Sequence, residues 1–240
     1  MDLKETDILG DDIDSHWYYS SKAKAVSRTL GGESYSTILD VGAGSGFFSR
    51  YLLSTTEAKT AWCVDISYET DSDTVEAGKR VHYRRDIDDL NADLVMLMDV
   101  LEHVDDDEGL LRTYVDKVPA GSRFLITVPA FQFLWSGHDD FLEHKRRYTL
   151  KQLEAVVRRT GLTIDKGFYF FGGVFPIATT VRCLQNATQK SQPAQSQLAK
   201  HSPVVNSFLK FLCSAELPFV GHNRLAGLSV FCLAQKGTAS

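Results

Sequence analysis

The sequence predicts an α/β fold in which a mostly parallel sheet of seven strands carries helices on both faces, with a helical insertion before the last strand. Runs rich in β-branched and aromatic residues alternate with helical patterns, which is typical of a parallel sheet. The chain has 240 residues, 43% apolar and 24% charged, enough for one large core. A glycine-rich turn follows the first predicted strand, as expected where a strand leads into a helix.

Seven segments are predicted as strands because β-branched or aromatic residues are frequent in them. They are Thr37–Val41, Ala61–Ile66, Val81–Arg85, Leu94–Asp99, Arg123–Val128, Leu162–Phe170 and Leu228–Gln235. Helices are predicted over Ser15–Leu30 and after Gly46, Asp105 and Thr149. The last of these is the best marked, because Thr149 and Gln152 form a capping-box pattern and Gly161 follows where a helix ends.

Three parts of the chain are expected: an N-terminal helical cap over 1–33, a main domain over 34–171 and 227–240, and the insertion over 172–226. A polar linker around Gln189–Gln197 divides the insertion. The charged residues of the insertion are five basic and one acidic, a net charge of +4 against −9 for the rest of the chain: Arg182, Lys190, Lys200, Lys210, Arg224 and Glu216. Such a segment is typical of a membrane-surface or lipid-covering element. A lid or a dimer contact with a buried apolar face is the other interpretation.

Composition argues against several classes of protein. The net charge of −5 and the lack of a long Lys/Arg run disfavour a nucleic-acid partner. The four cysteines form no CxxC pair, and the first ten residues are acidic and polar, unlike a signal peptide. No apolar run reaches about 18 residues, the length of a membrane span. We expect a cytoplasmic monomer or homodimer with a small-molecule or lipid-like substrate, and peripheral contact with the inner face of the membrane through the insertion as an alternative.

The turn after the first strand reads DVGAGSG. Gly42, Gly44 and Gly46 lead directly into a helix and let the backbone approach a ligand closely. Phe47 stands where a GxGxxG dinucleotide loop has its third glycine, which disfavours a bound pyrophosphate. The N–H groups at the start of the helix still suit a single carboxylate. The turn therefore favours a nucleoside joined to an amino acid.

Carboxylates follow three of the predicted strands. Asp65 ends the second strand about twenty residues past the turn, where an acid can accept from ribose hydroxyls. Asp86 follows the third strand and can accept from an exocyclic amine such as that of adenine. Asp99 ends the fourth, at the edge where open sheets bind ligands. Taken singly, Asp65 and Asp86 also fit as strand or turn ends, and Asp40 fits as a residue that orients the loop backbone.

These motifs, in this order, resemble the class I S-adenosylmethionine-dependent methyltransferases, in the small-molecule branch that contains the ubiquinone-biosynthesis O-methyltransferases. The resemblance covers Ser34 to Gly161 and the last strand. It implies a Rossmann-like sheet of seven strands with the last antiparallel, and S-adenosyl-L-methionine as cofactor with S-adenosyl-L-homocysteine as product. The predicted cofactor-binding residues are Asp40, Gly42, Ala43, Gly44, Gly46, Asp65, Ile66, Asp86, Ile87 and Asp99.

The segment DVLEHV places Asp99, Glu102 and His103 at i, i+3 and i+4, on one face if the segment is helical. Such a set offers ligands to a divalent ion, but two carboxylates and one imidazole are a thin signature. The acids that follow, at 105–108, are expected at the N-terminus of the next helix. We therefore predict no metal and take His103 as a candidate general base.

The segment from Val128 to Thr149 combines aromatic and polar side chains before a capped helix, as expected of an acceptor site. The predicted substrate-binding residues are Trp135, Arg147 and Tyr148, with His144 as a further candidate. The candidate general bases are His103, His138 and His144, because a pKa near neutrality suits a hydroxyl acceptor. The alternative is that Arg146 and Arg147 are solvated and Tyr148 packs under the helix.

The sequence thus predicts a methyltransferase that moves a methyl group from S-adenosylmethionine to a small-molecule or lipid-like acceptor, at a hydroxyl oxygen, with a histidine base. A cofactor-binding but catalytically silent interaction protein is the first alternative. The second is an NAD-dependent oxidoreductase, which Phe47 disfavours.

Overall fold

A computed structural model describes residues 9–188 and 202–237. The strands are β1 Thr37–Val41, β2 Thr60–Val64, β3 Ser72–Glu76, β4 Lys79–Arg84, β5 Leu94–Met98, β6 Arg123–Pro129, β7 Leu162–Phe170 and β8 Ser229–Lys236. The α-helices are α1 Trp17–Leu30, α2 Phe47–Thr55, α3 Asp107–Asp116, α4 Gly137–Phe141, α5 Leu150–Arg159, α6 Phe175–Thr188 and α7 Pro203–Glu216. Short 3-10 turns cover Gly10–Ser15, Leu101–His103, Gln132–Leu134 and Leu217–Phe219. The predicted linker around Gln189–Gln197 lies outside the described residues.

The strands form one sheet in the order β3-β4-β2-β1-β5-β6-β8-β7. Pairing is parallel from β4 through β2, β1 and β5 to β6, whereas β8 runs antiparallel to both β6 and β7. The mostly parallel α/β fold and the antiparallel last strand are therefore confirmed. Within the described residues the sheet has eight strands and not seven.

The additional strand is β3, which pairs antiparallel with β4 at the edge of the sheet. Ala77 and Gly78 join the two strands, both with positive φ (50° and 77°), as a two-residue hairpin turn requires. Four of the five β3 residues are exposed, and Asp73 bonds the His82 imidazole of β4 at 2.8 Å. The sequence did not predict this strand because it has no apolar face. Charged side chains on an edge strand protect the sheet from aggregation.

Helices cover both faces of the sheet, as predicted. On one face, α1 and α2 bury Val26, Phe47 and Leu52 against the sheet in one cluster that includes Met96 and Phe231. On the other face α3 and α5 bury side chains such as Leu111 and Leu153 in a second cluster. The two clusters fix the sheet between the layers, so the carboxyl ends of β1, β2 and β5 open at one edge.

Helix α7 of the insertion packs on α1. The Asn206 side chain accepts from the Trp17 backbone N–H at 2.8 Å and donates to the Ser15 carbonyl at 3.0 Å, so it caps the start of α1. The Glu216 carboxylate accepts from the Gly172 N–H at 3.0 Å, where the insertion leaves the sheet. The insertion thereby holds the helix that covers the carboxyl edge.

Two basic side chains of the insertion are bound by other parts of the protein. The Arg182 guanidinium donates to the Leu134 carbonyl at 2.5 Å, and Arg224 pairs with Glu154 at 2.7 Å. Exposed apolar side chains instead mark α7, including Phe208 and Phe211. Among the described helices, none is long and apolar enough to cross a bilayer.

Candidate functional site

The glycine turn between β1 and α2 has the geometry of a ligand cradle. Gly42, Gly44 and Gly46 all have positive φ (64°, 53° and 71°). A Cβ on Gly42 would stand 2.7 Å from Cγ2 of Val100, and one on Gly46 would stand 3.0 Å from the Tyr83 hydroxyl. Gly46 starts α2 without a side-chain cap, so the first N–H groups of this helix are available to an anion.

Asp65, the residue directly after β2, braces this turn. One carboxylate oxygen accepts from the Gly44 N–H at 2.9 Å, and the other accepts from the Ser67 N–H at 3.0 Å. The Tyr68 hydroxyl donates to the Gly44 carbonyl at 2.6 Å. The carboxylate is therefore held beside the turn, at the position from which an acid reaches the hydroxyls of a ribose.

Asp40 occupies a different position from the one its predicted role requires. Its side chain is buried beneath the turn, where one oxygen accepts from the Ser49 hydroxyl at 2.7 Å. Burial raises the pKa of Asp40 to about 6, and the Ser49 bond opposes that rise. The geometry assigns Asp40 first to supporting the turn from below, the alternative that the sequence left open, and its contact with the cofactor stays a prediction.

The predicted adenine-side residues lie at the surface. The Asp86 carboxylate is 86% exposed and accepts from the Ile87 N–H at 2.8 Å and from Lys117 at 3.3 Å. Ile66, next to Asp65, is 85% exposed, whereas Ile87 packs partly on the core. Single exposed apolar side chains are normal on protein surfaces. This one lies beside the strand-end acid, where it offers a planar ring an apolar face to stack on.

Asp99, at the end of β5, is held by the N-terminal helix. Its carboxylate pairs with the ammonium of Lys22, which is completely buried, and also accepts from the Thr127 hydroxyl at 3.1 Å and the Tyr18 hydroxyl at 3.3 Å. Burial opposes the charge of Asp99, but Lys22 holds its pKa below the ordinary value. Asp99 also has a positive φ of 55°, a strained conformation for a residue other than glycine. Helix α1 is therefore fastened over the carboxyl edge.

Glu102 and His103 follow Asp99 in a 3-10 turn, not in an α-helix. The Glu102 side chain is fully buried, and within the described chain neither of its oxygens has a hydrogen-bond partner. Burial and the nearby Asp99 carboxylate raise the pKa of Glu102 well above its usual value. Asp99 is engaged by Lys22, so the predicted face of Asp99, Glu102 and His103 does not form.

The loop after β6 brings His144 to His103, with ring centroids 4.8 Å apart. His144 Nδ1 lies 2.9 Å from Oδ1 of Asp139, and Asp139 is in turn bound by Arg147 through Nε at 2.7 Å and Nη2 at 3.0 Å. Burial opposes ionisation of Asp139, but its bonds to His144 and Arg147 hold its pKa below the ordinary range. An ionised Asp139 only accepts, so Nδ1 carries a proton toward it, and in the neutral ring the lone pair is then on Nε2.

The remaining predicted acceptor residues have structural partners. Arg147 is 7% exposed and bound to Asp139, and the buried Tyr148 donates to the Leu101 carbonyl at 3.2 Å and meets Asp107 at 2.7 Å. The alternative of a solvated Arg147 is therefore wrong, and Tyr148 does pack before α5. Trp135 donates from Nε1 to Asp140 at 3.0 Å. Contact of these three side chains with a substrate stays a prediction, and their geometry assigns them first to holding the loop.

His138 differs from the other two histidines. Burial lowers its pKa to about 4, with Asp139 opposing the shift. An imidazole with that pKa is a weak proton acceptor at neutral pH, so among the three predicted bases we favour His103 and His144; the role of each stays a prediction.

Three residues of the site carried little signal in the sequence. Lys22 lies among buried residues of α1 such as Ala23 and Val26, so its only mark was a charge on the apolar face of that helix. Asp139 is one of two adjacent acids in the segment HDD, and nothing there distinguishes it from its exposed neighbour. Glu102 was identified only as part of a possible face with Asp99 and His103. Only the fold places Asp139 beneath His144.

Comparisons with known proteins identify the family and the fold of the chain. The profile of a methyltransferase domain family matches residues 15–166. No curated protein sequence gives a significant match. Among solved structures, a chain of the complex that contains the Haloferax volcanii Trm112 methyltransferase activator superposes with a TM-score of 0.60 at 16% identity, covering 99% of this chain and 96% of its own.

Two further structures are similar. Haemonchus contortus phosphoethanolamine N-methyltransferase 2 in complex with S-adenosyl-L-methionine has a TM-score of 0.58 at 18% identity, covering 98% of this chain and 57% of that enzyme. The [4+2]-cyclase SpnF has a TM-score of 0.55 at 14% identity, covering 96% and 86%. At these identities the structures show the shared fold. The family match spans more than half of the chain, and the chain therefore belongs to the methyltransferase domain family, with the sheet of its class I members.

Proposed function

We propose that this protein uses S-adenosyl-L-methionine to methylate a hydroxyl oxygen of a small-molecule or lipid-like acceptor. The observation that carries the proposal is the pair of imidazoles His103 and His144, whose ring centroids are 4.8 Å apart. His103 lies four residues after Asp99, and His144 comes from the loop after β6. Val100, three residues before His103 in the chain, lies against the glycine turn: a Cβ on Gly42 would stand 2.7 Å from its Cγ2. The predicted cofactor site and the imidazole pair are thus neighbours.

The chain's residues fit the cofactor. The uncapped start of α2 suits its carboxylate, Asp65 suits its ribose, and Asp86 with Ile66 suits its adenine ring. Buried Phe47, in edge contact with Tyr19 and Phe48, fills the space that a third glycine would open for a pyrophosphate, which supports this cofactor over NAD. When bound, S-adenosylmethionine supplies a methyl group on a sulfonium, which needs no covalent help from the protein.

The protein's task is then to orient the acceptor and remove its proton. Asp139 and Arg147 hold His144 with Nε2 free to accept, and His103 lies against its ring. Helix α1, fastened by Lys22, covers the carboxyl edge and limits the access of water. Placing the acceptor oxygen in line with the methyl group contributes several kcal/mol in well-oriented reactions.

The neighbours also define the alternatives. An N-methyltransferase and a [4+2]-cyclase share the fold, so the fold by itself does not select oxygen as the acceptor or methyl transfer as the reaction. We favour oxygen because an imidazole base is needed for a hydroxyl acceptor, whereas a neutral amine needs no proton removed before attack.

The test is incubation of the purified full chain with methyl-labelled S-adenosylmethionine and a bacterial extract, followed by phase partition and mass spectrometry of the labelled product. We expect an O-methylated product, and much slower transfer by His144→Gln than by the matched variant His222→Gln, whose ring is exposed elsewhere. Label in the organic phase identifies a lipid-like acceptor, and label in the aqueous phase identifies a polar one. A methyl group on nitrogen contradicts the hydroxyl acceptor. No transfer above the protein-free control contradicts the activity.

A further inference from the structure

Glu102, His103 and His144 converge on one point although 42 positions separate the first from the last. Each offers one ligand atom, and the three atoms all lie within 4.8 Å of one another. Two bonds keep the segments in register: the Lys145 N–H donates to the Glu102 carbonyl at 2.8 Å, and the Tyr148 hydroxyl donates to the Leu101 carbonyl at 3.2 Å. The convergence is therefore built into the fold and does not depend on side chains alone.

The buried carboxyl group of Glu102 is a second observation, independent of the convergence, that indicates a bound cation. Its carboxyl group has no exposed surface, and among the residues that the structure describes no donor reaches either oxygen. The cations nearby are committed elsewhere, Lys22 to Asp99 and Arg147 to Asp139. A buried carboxyl group without a partner is costly, so such groups in native proteins are normally bonded or coordinate a metal.

His144 is oriented as a metal-binding histidine is. Its Nδ1 is turned to the Asp139 carboxylate at 2.9 Å, and Asp139 is fixed by Arg147 and by the Ser136 N–H at 2.9 Å. A carboxylate on one ring nitrogen sets the tautomer and increases the basicity of the other nitrogen, which is the usual outer support of a metal-bound imidazole. Asp139 and Arg147 are thus positioning residues for His144 Nε2.

We propose that Glu102, His103 and His144 bind a divalent cation of the zinc class, oriented by Asp139 and Arg147. Two imidazole nitrogens and one carboxylate oxygen favour zinc or cobalt over magnesium, which prefers oxygen alone. Ligand atoms around a tetrahedral zinc stand about 3.3 Å apart, so the half-buried His103 ring must move inward on binding. Three protein ligands leave a position open for an oxygen of the acceptor.

The role of this cation rests on the proposed function, but its binding does not. A cation held by these three residues would act as a Lewis acid that lowers the pKa of an acceptor hydroxyl. In the metal-bound state it would take over the proton removal that the proposed function gives to the imidazole pair. The sequence predicted no metal because two carboxylates and one imidazole, Asp99, Glu102 and His103, are a thin signature, and no pattern connected His144 with them.

The exposed acids near the cluster are not part of the site. Asp105 pairs with Lys145, Asp106 caps α3 at the Gly109 N–H, and Glu108 pairs with Arg159 at 2.5 Å. Each is occupied by the folding of its own segment, so the proposed site comprises the three converging side chains and their support.

The experiment is titration of the chelator-treated full chain with Co²⁺, followed by visible absorption, and with Zn²⁺, followed by calorimetry. S-adenosylhomocysteine binding is measured on the same samples. We expect one cation per chain, with visible bands typical of four or five ligands. Glu102→Gln and His103→Gln should abolish binding, and Asp139→Asn should weaken it about 10- to 100-fold. His222→Gln, with an exposed ring, is the matched control and should bind as the wild type does.

Because Asp139 is fully buried, its variant can fail to fold, and each protein is therefore checked by thermal unfolding. His103, which is only half-buried, keeps the test decisive in that case. No binding of either cation by the wild type, or equal binding by His103→Gln and wild type, overturns the proposal. If the wild type then still binds S-adenosylhomocysteine, only the proposal of the metal site is refuted. If the wild type does not bind S-adenosylhomocysteine, the proposed function is refuted independently of the metal.

Discussion

Replacement of Lys22 by methionine should destabilise the protein strongly, although Lys22 is a charged residue on a helix. The side chain of Lys22 has no exposed surface and its ammonium pairs with Asp99, whose side chain is 25% exposed. The ammonium also bonds the Tyr18 hydroxyl at 3.1 Å. Methionine keeps the volume and removes the charge, so Asp99 would remain as a mostly buried carboxylate without its cation.

The expected magnitude follows from that geometry. Removal of one partner of a buried ion pair costs about 3–5 kcal/mol, and the partial exposure of Asp99 places this pair near about 3 kcal/mol. For a chain of this size, that loss lowers the melting temperature by about 6–12 °C. The double variant Lys22→Met with Asp99→Asn should recover part of the loss, because no unpaired charge then remains.

Urea unfolding of the wild type, both single variants and the double variant gives the coupling free energy directly. Lys24→Met is the matched control, since Lys24 is an exposed residue of the same helix, and it should change stability by less than about 0.5 kcal/mol. If Lys22→Met is no more destabilising than Lys24→Met, the ion pair does not fasten α1 over the carboxyl edge, and our explanation of the covered site is wrong.

Three further predictions concern the turn, the loop and the pH dependence. Gly42→Ala should weaken S-adenosylhomocysteine binding in calorimetry, because its Cβ would stand 2.7 Å from Val100. The control Gly121→Ala changes a glycine with a φ of 90° and nothing within 4 Å of its Cβ, so it should lose stability but keep its affinity. Equal affinities of the two variants would contradict the role of the glycine turn as a ligand cradle. Tyr148→Phe should cost about 1–2 kcal/mol in urea unfolding through its lost bonds to Leu101 and Asp107, and no loss would show that those bonds are not made. Burial lowers the pKa of His138 from 6.5 to about 4. As the pH falls, the unfolded chain therefore binds this proton before the folded chain does. The free energy of unfolding should then fall, by up to about 3 kcal/mol, as the pH drops from 6.5 to 4. His138→Gln should reduce that dependence, and an unchanged pH profile would contradict the burial of this ring.

The strands that the sequence predicted are those whose burial imposes an apolar pattern. Strand β7 was predicted with its observed bounds, and β1 likewise, because both are rich in β-branched and aromatic residues. Strand β3 has the sequence SDTVE and is stabilised by pairing with β4 and by charges such as Asp73, which leave no periodic signal. The helix cap formed by Thr149 and Gln152 was predictable because its donor and acceptor are only three residues apart in the sequence.

The candidate site divides in the same way. Asp65 and the glycine turn were found because a strand end and a helix start are visible in a short segment. The contacts of Lys22 with Asp99, and of Asp139 with His144 and Arg147, were not found. The first pair joins residues 77 positions apart, and the second set lies within one irregular loop whose path no local pattern determines. Charged residues that become buried through such contacts look like surface residues in the sequence.

The most direct test of the central claim is calorimetric titration of the purified protein with S-adenosylhomocysteine, together with Asp65→Ala and the matched variant Asp116→Ala, which removes an exposed acid at the end of α3. We predict binding at micromolar affinity or better by the wild type and by Asp116→Ala, and a loss of about 10- to 100-fold in Asp65→Ala, the value of one or two charge-assisted hydrogen bonds. No binding by the wild type, or equal affinity in Asp65→Ala and Asp116→Ala, would contradict the cofactor site from which the proposed methyl transfer was inferred.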